Sequence, residues 1–161
     1  MNKSVLKTAL CIAVLLVTAT VASAQQSKQN ADLDYIEVKQ KRLNEYQRDF
    51  LDFSTSHKRD IEERGLLLQL AGVASTAQTY LDSIWNLVYI NNNLSCKSDK
   101  AMVASLAEFQ IKHYIKTLAL EISTVNNNIS FTKIPAVATS GTQLKDDLRE
   151  IIAKLEAIKF N

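Results

Sequence analysis

His57, His113, Cys11 and Cys96 are the only histidines and cysteines in this chain, so most nucleophilic or metal chemistry would have to pass through them. His57 precedes Asp60 by three residues, a spacing that puts both side chains on one helical face. Such a pair supplies at most two metal ligands. The sequence has no Cys-x-x-Cys-His for haem attachment and no Glu-x-x-His pair of the kind used in helical di-metal sites. A Gly-x-Ser-x-Gly turn is also lacking, and three glycines in the whole chain are too few for a phosphate-cradling loop. Asp146 and Glu150 lie four apart among other charges, which fits a solvated helix face better than the enclosed cleft a glycosidase needs. The residues therefore predict a non-enzymatic protein with no metal and no cofactor.

Two groups remain as candidates for binding. Cys96 follows an export-type N-terminus, and an odd cysteine in an exported chain can form an intermolecular disulfide. The competing reading is a small apolar or inert loop thiol, since no histidine sits beside it to generate the thiolate. Tyr80, Trp85, Tyr89 and Tyr114 form an aromatic band that could serve as a partner interface. Core packing, with the polar tips reaching solvent, is the plainer role for the same four residues.

The N-terminus has the anatomy of a secretory signal. Lys3 and Lys7 make a basic start, an apolar run extends from Ala9 to Val21, and Ala22-Ser23-Ala24 offers a small-residue cleavage site after Ala24. The run is shorter than the ~20 apolar residues a stable span needs. Expected segments are a signal peptide over 1–24, a flexible polar tail over 25–30 and one domain over 31–161. Cys11 and two lysines leave with the signal, so 19 basic against 17 acidic residues becomes 17 against 17. A neutral domain has no global attraction for nucleic acid or anionic lipid.

Helices must position whatever site exists. With one proline and three glycines, the sequence lacks the frequent turns of a sandwich or barrel. Apolar residues recur at three and four throughout, predicting helices over about 31–53, 57–90, 98–127 and 140–159. Leu33, Ile36, Leu43, Tyr46, Phe50 and Phe53 make the first stripe. A turn is expected at Ser54–Ser56, the rival being a helix that runs on to Gly65. The segment from Leu66 to Ile90 is the most apolar of the mature chain and reads as a buried central helix rather than a membrane span. Val103, Ala107, Ile111, Tyr114, Leu118, Ile122 and Val125 make the third stripe, flanked by Met102, Leu106 and Phe109. Leu144, Leu148, Ile151, Leu155 and Ile158 make the fourth.

Expected helix boundaries follow local chemistry. Ser98 is the N-cap expected for helix three, with Asp99 in its first turn. Asn91–Asn93 and Asn126–Asn128 are read as two stops built alike, and Ile129–Thr139 as an extended connection. Ser140 with Gln143 fits a capping box. Asn93 and Asn128 also match Asn-x-Ser, which matters only in a host that glycosylates exported proteins.

The fold expected is all-α, an antiparallel four-helix bundle of helical hairpins behind a signal peptide. The function expected is an exported, periplasmic or extracellular, binding or structural role through a helical face. Its partner would be an unidentified protein or a second copy in a homodimer. A peripheral or signal-anchored membrane component is the first alternative. A small exported enzyme or ligand carrier is the second, with His57, His113 and nearby carboxylates as its groups.

Overall fold

The computed structural model describes the backbone of residues 3–160 and the side chains of residues 30–160. The expected signal segment, its cleavage after Ala24, Cys11 and most of the expected polar tail lie outside the described side chains. Four helices follow in order: α1 (Lys3–Ser56), α2 (Ile61–Asn93), α3 (Lys97–Phe131) and α4 (Pro135–Ala157). They form an all-α four-helix bundle. α1 packs chiefly on α2 and α3 on α4, and the α2–α3 contact joins the two hairpins.

Spacing explains the core. Ile36, Leu43, Tyr46 and Phe50 face inward from α1, and Leu144, Leu148, Ile151 and Leu155 from α4, all buried. Each large apolar side chain so placed contributes about 1.5–3 kcal/mol by leaving water. α2 is the central element, with Leu67, Leu70, Leu81 and Ile84 fully enclosed. Ala71, Ala74 and Ala77 are buried between them, and their short side chains let neighbouring backbones approach closely. Among the described residues no helix is long and apolar enough to cross a membrane.

Several boundaries differ from the sequence expectation. α1 passes through Ser54–Ser56 because the three hydroxyls bond back to carbonyls of their own helix, at Leu51 and Asp52. The turn falls one step later, at His57–Arg59, and the helix does not continue to Gly65. Asp60 then caps α2 by accepting the Glu63 N–H at 3.1 Å. Neither asparagine triplet stops its helix: Asn91–Asn93 ends inside α2, and α3 runs on to Phe131. Asn93 Nδ2 donates back to the Tyr89 carbonyl, so the side chain supports the last turn instead of breaking it.

At the start of α3 the cap position is Cys96, not Ser98, and its side chain does not cap the helix. The expected extended stretch 129–139 is mostly helical. Pro135 occupies the first turn of α4, where a missing N–H costs nothing, so Ser140 and Gln143 lie within the helix. The three-residue connection Thr132–Ile134 is held from α2. Buried Glu63 accepts the Thr132 hydroxyl and, at 3.0 Å, the Lys133 N–H.

Candidate functional site

The sequence-selected residues do not converge. His57 sits in the first turn of the chain reversal with Nδ1 2.9 Å from the Phe53 carbonyl. His113 is exposed midway along α3, edge-on to Tyr80 at 6.4 Å. Among the described residues, no three His, Cys, Asp or Glu side chains are grouped as a metal site. The four aromatics split into two pairs. Tyr80 of α2 stacks on Tyr114 of α3 at 4.1 Å and helps hold the two hairpins together. Trp85 stacks on Tyr89 at 5.2 Å, one turn apart on α2. Cys96 is exposed, its Sγ 2.9 Å from Ser98 Oγ, and that hydrogen bond lowers the thiol pKa.

Two arrangements that the sequence reading missed stand out. The first is a polar seam between α1 and α4. Lys39 is buried and donates to Asp147 at 2.6 Å and to Glu150. Asp147 also receives Arg42 at 2.8 Å and the Tyr46 hydroxyl at 2.8 Å. One helical turn toward the α1 N-terminus, Lys154 pairs with buried Asp32 at 2.5 Å. The Tyr35 ring lies between, 5.8 Å from Lys39 Nζ and 5.3 Å from Lys154 Nζ. Burial together with the hydrogen bond to Asp147 pushes the Tyr46 phenol up to about 12. Such a satisfied network fixes helix register; it offers no open acid or base for catalysis.

The second is the outer face of α3. Met102, Leu106, Phe109, Leu120 and Phe131 are 69%, 48%, 74%, 65% and 71% exposed. At about 100° per residue these five positions and His113 fall within roughly 60° of arc along about 44 Å of helix. Ala107, Ile111, Leu118 and Val125 occupy the opposite side and are buried. Met102, Leu106 and Phe109 therefore do not flank the core stripe, as the sequence suggested; they point away from it. Their seven-residue spacing (Met102 to Phe109, Leu106 to His113 to Leu120) was the available signal.

The largest described cavity, about 520 Å³, lies between α3 and the end of α4. Ile111, Ile115, Leu155 and Phe160 line it, with two lysines and two glutamates at its rim. The opposed charges at the rim favour neither anion nor cation. Comparison with known protein families, curated sequences and solved structures finds no match to this chain.

Proposed function

We propose that this chain is an exported, non-enzymatic helical protein with a binding or structural role carried by a helical face, and that the outer face of α3 is that face. One observation carries the reading. α3 has two apolar stripes where a bundle helix needs one, and the second is open to solvent along most of its length. Contiguous exposed apolar surface of this extent is uncommon on monomeric proteins and marks interaction sites. Met, Leu and Phe at three- and four-residue spacing suit the apolar face of a partner helix, including α3 of a second copy. The signal-like residues 1–24 place the encounter in the periplasm or outside the cell.

The test combines cell fractionation with a surface variant. Leu106→Ser, Phe109→Ser and Leu120→Ser together remove the stripe at exposed positions, where substitutions usually change stability by no more than about 0.5 kcal/mol each. The reading predicts a soluble exported protein whose chemical cross-links, to itself or to another protein, disappear in the triple variant. Cross-links unchanged by the triple variant would reject this face. A mature chain extracted only by detergent would favour the membrane-associated alternative.

A further inference from the structure

Outside the α3 face, the groove between α1 and α2 holds a second built feature. Trp85 Nε1 donates to Glu37 Oε1 at 3.2 Å across the two helices. Tyr89 lies one turn above the indole and stacks on it with an interplanar angle of 7°. Asp82 lies one turn below and accepts the Gln40 amide from α1. The indole is thus pinned at its edge and covered by Tyr89. A cavity of about 340 Å³ is lined by Trp85, Glu37, Gln40, Asp82 and Asn86. It continues into a second, about 260 Å³, that reaches Lys41 and Gln78.

The charges decide what could enter. Glu37 and Asp82 each accept from a neutral donor through one oxygen, which orients the carboxylate and leaves its charge uncompensated. Among the described residues neither forms an ion pair, whereas Asp32, Asp60, Asp146, Asp147 and Glu150 all do. Two fixed carboxylates beside an indole make a cation site, because the ring face attracts positive charge as well. Volumes near 300 Å³ are at the small end of ligand pockets. We infer that this groove binds a small organic ammonium ion, held by the Trp85 indole together with Glu37 and Asp82. A partly open groove of this kind gives weak binding, on the order of 1–10 mM. This site shares no residue with the α3 face, so either can fail alone.

Trp85 is the single tryptophan in the chain, so its emission reports this groove directly. The experiment titrates the full exported chain with tetramethylammonium chloride, using sodium chloride and neutral tert-butanol as controls. A saturable change with tetramethylammonium alone is expected. In Glu37→Gln/Asp82→Asn, which keeps the acceptors and removes the charges, binding weakens by about fivefold or more. In Lys41→Gln it tightens by about twofold, through loss of a repelling charge at an exposed position. Absence of saturation to about 100 mM, far above the expected range, would overturn the assignment. So would an equal response to tert-butanol or to sodium chloride, or unchanged affinity in the double variant. Should the double variant lose its helical circular dichroism, Lys41→Gln decides: unchanged affinity there also overturns the site.

Discussion

Lys39 of α1 and Asp147 of α4 meet at 2.6 Å with both side chains more than nine-tenths buried, 108 residues apart in sequence. Because α1 and α4 share little other surface, this pair and its neighbours set how the first and last helices align. Asp147→Ala leaves Lys39 with Glu150 alone and takes an acceptor from Tyr46. Breaking a buried pair from one side costs about 3–5 kcal/mol. Urea denaturation should show a loss of that order. The double variant Lys39→Met/Asp147→Leu should recover much of it, since no buried charge is then stranded.

The same seam predicts loosening in alkali. The Tyr46 phenol is held protonated to about 12, against 10.0 ordinarily. For Lys39, burial acts to lower the pKa, but the hydrogen bonds to Asp147 and Glu150 outweigh it and the net shift is upward. Both groups keep in the folded state a proton that the unfolded chain releases earlier. Their contribution is complete below about pH 10 and is lost as pH rises through the folded values. Urea midpoints should therefore fall steeply between about pH 10 and pH 12, and less steeply in Tyr46→Phe.

Glu63 ties the two ends of the bundle's second half together. It is 2% exposed and accepts from Thr132 and the Lys133 N–H, while its own N–H is capped by Asp60. Glu63→Ala strands these donors and should cost about 1–3 kcal/mol. Hydrogen exchange should rise first in the Thr132–Ile134 connection.

The glycines divide into two kinds. A Cβ at Gly141 would stand 2.8 Å from Ile129 Cγ1, so Gly141→Ala should destabilise by about 1–3 kcal/mol through overpacking. Ile129→Val beside it should relieve part of that. Gly65 and Gly72 have no neighbour within 4 Å of a Cβ. Alanine at either should stabilise by about 0.5–1 kcal/mol, because helix interiors disfavour glycine. Thermal melts of the three single variants distinguish the cases.

Residue spacing made the helices legible. Leu144, Leu148, Ile151, Leu155 and Ile158 repeat at three and four, and all five are buried. Local stop signals were less informative. Asn91 and Asn128 are 1% and 4% exposed within helices that continue past them, so tertiary burial overrode the propensity of asparagine for turns. Ile134-Pro135 looked like a break because proline ends helices from within, yet it also starts them. α3 was ambiguous for a different reason. Periodicity finds both of its apolar stripes but does not say which one faces the core; Ala107, Ile111 and Leu118 won because α2 and α4 close over them. The seam was out of reach, since no local pattern links Lys39 to Asp147 and Glu150.

The proposed face is tested most directly by photo-cross-linking in the native host. A photoreactive residue replaces Phe109 on the α3 stripe, and separately replaces Glu45, an exposed polar position on α1. The account predicts a discrete adduct, with another protein or with a second copy, from position 109 and none from position 45. No adduct from position 109, or equal adducts from both positions, would contradict it.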